Sequence, residues 1–114
     1  MLIEIGEKLH VVYRALYENS TRQHFLGMVK AIENSVVRLE GYVFVFEVKK
    51  DEFLRKEEKR TTFINIGECG CIVNLVPDSV DLDKVFYKYI APSGLIVSDG
   101  KSFKLDISEF SFKT

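Results

Sequence analysis

The sequence predicts a mainly β protein: a small antiparallel roll or barrel, built as a meander plus a C-terminal hairpin, with at most one short helix near residues 79–90. Three observations predict it. Val, Ile, Phe, Tyr and Thr supply 40 of the 114 residues, whereas Ala, the best helix former, occurs three times. β-branched and aromatic side chains fit a pleated, half-buried surface, so this bias favours strands. Short apolar runs alternate with polar turns along the chain, and two of those turns, Asn34-Ser35 and Asp99-Gly100, hold residues that accept the backbone of tight hairpins.

Taken in order, Leu9 to Glu18 sets Leu9, Val11, Tyr13, Ala15 and Tyr17 on one parity. A helical period through Leu9, Val12, Tyr13 and Leu16 competes, and the β-rich neighbours favour a strand. Asn19 to Arg22 is a polar turn, Gln23 to Glu33 a second strand, and Asn34-Ser35 a two-residue hairpin turn leading into a long strand, Val36 to Val48. Lys49 to Lys59 is charged except at Phe53-Leu54 and is expected as a hairpin tip or exposed loop. Thr61 to Ile66 and Ile72 to Val76 are two further strands, joined by Gly67-Glu68-Cys69-Gly70. Pro77 cannot donate to a ladder and ends the run.

Residues 78–90 carry two signals. Leu82, Val85, Phe86, Tyr89 and Ile90 follow a helical period, with Asp78 able to cap and Asp81, Asp83 and Lys88 suiting a helix dipole. Val85 to Ile90 is nevertheless strand-like in composition, and both alternatives stay open. Gly94 to Ser98 and Lys101 to Ile107 flank Asp99-Gly100, a type I′ hairpin signal.

Strict alternation then assigns faces. With a two-residue turn at Asn34-Ser35, Leu26 pairs with Val43 and Phe25 with Phe44. With a four-residue turn at Asn19 to Arg22, Leu16 pairs with Phe25 and Ala15 with Leu26. One face carries Tyr13, Ala15, Tyr17, Leu26, Met28, Ile32, Val37, Leu39, Val43 and Val45, interrupted by His24 and Lys30; this is the expected core. The other carries Leu16, Phe25, Tyr42, Phe44 and Phe46 with Arg14 and Arg38, and Tyr42 is expected opposite Gly27. An apolar second face is cover for another part of the chain, an interface or a ligand groove. It makes Leu16, Phe25, Tyr42, Phe44, Phe46, Arg14 and Arg38 the candidate interface, with another copy of the chain as the expected partner.

Length and charge bound the rest. At 114 residues the chain is expected to be a single domain, residues 1–114, with one core. A net charge of −1 excludes the uniformly positive field of a protein that grips phosphate backbones over its whole surface. The longest uncharged stretches are about ten residues, against roughly twenty needed to cross a bilayer, so no membrane segment is expected. The N-terminus lacks the pattern of a cleavable signal, and a cytoplasmic, reducing location follows as the expectation.

Motifs with chemistry are sparse. Cys69-Gly70-Cys71 has two thiols but neither the third nor fourth ligand that zinc wants; on a strand both would pack as small buried hydrophobes, with a metal or redox role as the alternative. His24, beside Phe25 and facing Tyr17 and Val45, and His10 are expected as structural histidines, with acid–base chemistry at His24 the alternative. No calcium loop, phosphate-binding glycine loop or nucleophile elbow occurs, and no cofactor or metal is expected. Lys49, Lys50, Arg55, Lys56, Lys59 and Arg60 gather six positive charges, answered by Asp51, Glu52, Glu57 and Glu58. If they converge beside Phe53 or Phe63, they form the alternative site, a patch for single-stranded nucleic acid.

In architecture alone, the run of short strands resembles small SH3-like, Sm-like and OB barrels. The Sm-like RNA-reading motif, an Asp and an Asn around a Met on one loop, is absent, so RNA binding is not implied. The expectation is a non-enzymatic binding or assembly module, with any small-molecule ligand unknown.

Overall fold

The structure, a computed structural model, describes residues 2–13, 23–47, 49–50, 52–68, 70–90 and 94–107. It is mainly β and antiparallel throughout its described pairings. The chain groups into two compact units, Met1–Asp78 and Ser79–Thr114.

The first unit contains β1 (Lys8–Val12), β2 (Gln23–Glu33), β3 (Val36–Glu47), β4 (Glu52–Arg55), β5 (Arg60–Asn65) and β6 (Ile72–Val76). They form one sheet in the order β4-β3-β2-β1-β6, with β5 also paired to β3. The sheet stays open at β6, so of the two expected forms the roll fits and the closed barrel does not.

β2 and β3 meet at the turn predicted for them: Glu33 opposes Val36, and Asn34 takes the left-handed conformation with φ 53°. β5 fastens this turn. The Ile66 amide donates to the Ser35 carbonyl (2.9 Å), and the Ser35 hydroxyl donates to Asn65 Oδ1 (2.8 Å).

Five positions from the turn, the register departs from expectation. A β-bulge between Val29 and Ala31 adds one residue to β2, so Phe25 opposes Val43 and Leu26 opposes Tyr42. A one-residue slip sends every later side chain of the strand to the other face. Phe25 and Val29 thereby join the core with Leu9, Val11, Val37, Leu39, Val43 and Ile64, while Leu26 moves to the side of Tyr42 and Phe44. Phe25 opposes Val11 across the β1 ladder, not Leu16, because β1 ends at Val12; the expected turn at Asn19 to Arg22 lies outside the described residues.

Gly27 faces Gly41 rather than Tyr42. A Cβ on Gly41 would meet the Leu26 carbonyl oxygen and, at 2.5 Å, Gly27 Cα. A Cβ on Gly27 would meet Phe25 Cε2 at 2.6 Å and the Glu40 carbonyl oxygen at 2.9 Å. The two strands approach closely here, and the Phe25 ring lies over the space that Gly27 leaves open.

The charged stretch expected as a loop contains a strand. β4 pairs Phe53 with Phe46 and Arg55 with Phe44, and β5 continues along the same edge of β3, pairing Gly41 through Val36 with Arg60 through Asn65. Only residues 56–59 step out between the two, and even there the Lys56 amide donates to the Val43 carbonyl (2.9 Å).

In the second unit the strand alternative holds for Phe86–Ile90, and the helix expected across this stretch is reduced to one short turn. A 3-10 turn, Leu82–Lys84, is capped by Asp81, whose carboxylate accepts from the Asp83 amide (3.0 Å). β7 (Phe86–Ile90) follows and pairs with β8 (Gly94–Ser98), which pairs with β9 (Lys104–Asp106). The expected two-residue turn at Asp99-Gly100 is a longer loop, because Ser98 opposes Lys104. Its carboxylate explains the length: Asp99 Oδ1 accepts from the Lys101 amide (2.8 Å) and the Phe103 amide (3.0 Å). Those amides, Lys101 first, hold the Asp99 carboxyl below its usual range. The Ser98 hydroxyl donates to the Phe103 carbonyl (2.9 Å) and accepts from the Gly100 amide (2.9 Å), closing the same loop.

Candidate functional site

The sheet of the first unit has apolar side chains on both sides, and its second side is aromatic as well as aliphatic. β1 contributes His10, β2 His24 and Leu26, β3 Tyr42, Phe44 and Phe46, and β4 Phe53, all on one parity of the ladder. Leu26 is fully buried, Phe44 is 1 % exposed and Tyr42 9 %. The rings interlock. Phe53 stacks on His24 at 4.8 Å between centroids and meets Phe46 edge-on at 5.4 Å, and His10 meets His24 edge-on at 5.4 Å. Such contacts add to the burial of the rings themselves.

The predicted interface residues therefore divide. Phe25 is fully buried and lies on the core side, not beside Tyr42 and Phe44. Tyr42 and Phe44 are buried, Phe46 is partly exposed and Arg38 is exposed. Leu16 and Arg14 lie outside the described residues. The bulge accounts for Phe25, and β4 accounts for much of the order around Phe44 and Phe46, since it pairs with both.

Both histidines are buried, with neighbours other than those expected. His24 opposes Phe44 and stacks on Phe53, and is 4 % exposed. Its expected position opposite Val45 is lost to the same slip of register. His10 is fully buried, and burial, then the charge of His24, lowers its pKa to about 3. Both rings are closed off from solvent. Among the described residues, no group of three or more His, Cys, Asp and Glu side chains is placed to hold a metal ion.

The six cations of the alternative nucleic-acid patch lie on β4, at the start of β5 and in the turns that flank β4. The Arg55 guanidinium lies 4.6 Å from the Tyr42 ring centre, Arg60 pairs with Glu58 at 3.6 Å, and Lys59 lies 4.0 Å from Glu40, which also draws Lys30 to 3.8 Å. Lys49 and Lys50 are exposed in the turn between β3 and β4, and Lys56 is exposed beyond β4. Of the two rings considered for stacking, Phe53 is buried and Phe63 is 66 % exposed. Phe63 instead opposes Arg38 and borders a shallow hollow of about 330 Å³ with Ile32 and Val36.

The surface feature that pattern reading passed over is β6. It is the edge strand beside β1, and no further strand joins it among the described residues. Ile72-Val73-Asn74-Leu75-Val76 bears no charge, and Ile72 and Leu75 are 65 % and 64 % exposed. The signal was in the sequence as a strand without a lysine or glutamate, but strand order was needed to place it at an edge. Natural edges are usually blunted by charge, proline or a bulge; here Pro77 stops the strand without interrupting it.

Cys71 packs, partly buried, against the core. It precedes β6, lies behind Gly70 at φ +64°, and is disulfide-bonded rather than a free buried thiol.

No family model matches this chain, and neither a curated protein nor a solved structure matches it.

Proposed function

We propose that this protein is a non-enzymatic assembly module that associates with another copy of itself, and that β6 is where the copies meet. The observation that supports this is the uncharged edge strand with Ile72 and Leu75 in solvent. A bare strand edge offers a row of backbone donors and acceptors, so a second strand adds by main-chain hydrogen bonds while exposed apolar side chains are buried beside it. Two antiparallel copies of one edge make a self-complementary contact of the kind a two-fold dimer needs.

Sedimentation over low to high micromolar concentrations checks this. The expected result is a rise in mass toward the dimer. Leu75→Lys, which places a charge on the edge, should weaken association tenfold or more and leave the circular dichroism unchanged. A strict monomer at high micromolar concentration would rule the assembly out, and an unaffected Leu75→Lys dimer would rule out the β6 edge.

A further inference from the structure

We propose that the hollow on the outer face of β2, β3 and β5 binds the free zwitterion of an amino acid with an aromatic side chain. β1 separates these strands from β6, and the proposal does not depend on the assembly reading above.

The ladder pairings decide what lines the hollow. One cross-strand row is Ala31, Arg38 and Phe63, and the next row toward the turn is Glu33, Val36 and Asn65. Both rows share one face of the sheet. The residues of opposite parity, Val37, Leu39 and Ile64, belong to the core, so this face turns outward. Ala31 and Val36 have short side chains and form a floor, while the Phe63 ring, 66 % exposed, stands at one side. Ile32 completes the lining of a space of about 330 Å³. That is at the small end of ligand sites, which run from roughly 300 to 1,000 Å³.

Charge then selects the occupant. Arg38 and Glu33 both border the hollow and both are exposed. Among the described residues neither takes part in an ion pair, with the other or with any third group. The acid nearest Arg38 on its own face of β3 is Glu40, which is drawn to Lys30 at 3.8 Å and Lys59 at 4.0 Å. The Arg38 guanidinium is thus left to take a carboxylate in a two-point bond, and the Glu33 carboxylate to take an ammonium. A ligand with both charges on one carbon satisfies both side chains. A simple carboxylate would be repelled by Glu33, and a simple amine by Arg38. The Phe63 ring is in no ring contact among the described residues and offers a face to an aromatic body.

The test titrates L-phenylalanine into the isotope-labelled full chain and follows backbone amides by NMR. Saturable shifts are expected within residues 31–38 and 61–65. Two probes that each lack one charge, 3-phenylpropionate and phenethylamine, should bind about fivefold more weakly. Glu33→Gln should weaken L-phenylalanine about fivefold without weakening 3-phenylpropionate, and Arg38→Gln should do so without weakening phenethylamine. Both are exposed side chains, so the amide spectrum should otherwise be that of the wild type. Phe63→Ser should weaken all three probes. Absence of saturable shifts, or shifts centred outside these two segments, overturns the proposal. Equal binding of the three probes, or indifference to both charge variants, overturns the assignment to a zwitterion.

Discussion

Gly41→Ala is expected to destabilise the protein by about 2–4 kcal/mol, although it adds a single methyl group. The new Cβ would point at the Leu26 carbonyl oxygen and at Gly27 Cα, both backbone atoms of the neighbouring strand. Neither can rotate away, so β2 and β3 must separate at this point. Gly27→Ala makes a useful comparison. Its nearest obstacle is Cε2 of Phe25, a side-chain atom with some freedom, followed by the Glu40 carbonyl oxygen. Denaturant titrations should rank wild type above Gly27→Ala and Gly27→Ala above Gly41→Ala. A Gly41→Ala midpoint within experimental scatter of wild type would show that the two strands are not in this close approach.

Acid should loosen the fold through His10, before most carboxylates are protonated. In the folded chain the His10 pKa is lowered from 6.5 to about 3, chiefly by burial. Between those values the unfolded chain binds a proton that the folded chain refuses, so stability rises with pH across this window. The contribution is fully present above pH 6.5 and is lost progressively as pH falls toward 3. At about 1.4 kcal/mol per pH unit, the loss is at most of order 5 kcal/mol. Measured unfolding free energies at pH 7, 6, 5 and 4 should fall steadily in wild type and less steeply in His10→Leu, which cannot take up that proton. Parallel profiles for the two proteins would remove His10 as the source.

Much of this architecture is readable from side-chain alternation and turn chemistry. β2, β6 and β8 have the bounds that the residue pattern assigns, and the Asn34-Ser35 turn sets Glu33 against Val36 as expected. What escapes the pattern has physical causes. Lys30 sits in a bulge that nothing in its own chemistry announces, yet it reverses the assignment of Phe25 and Leu26. Phe53 reads as an apolar interruption in a charged loop until β3 supplies its partner strand. Asp99-Gly100 resembles a two-residue turn, but the carboxylate captures two amides and lengthens the loop. At the candidate site, the apolar character of β6 is legible, whereas its position beside β1 depends on a pairing distant in sequence.

That pairing has a further consequence. β1 opens the first unit and β6 closes it, and they lie side by side with Lys8 opposite Val76. The Lys8 ammonium reaches past the end of β6 to the Asp78 carbonyl (2.7 Å). The first and last strands of the unit are thus neighbours, already in register. A short linker joining residue 78 back to the start of the unit, with new termini opened in the charged excursion at 56–59, would change the order in which the strands are made and leave every ladder between them intact. Circular permutation of this unit thus has a natural seam beside β1 and β6, and a natural place to cut between β4 and β5.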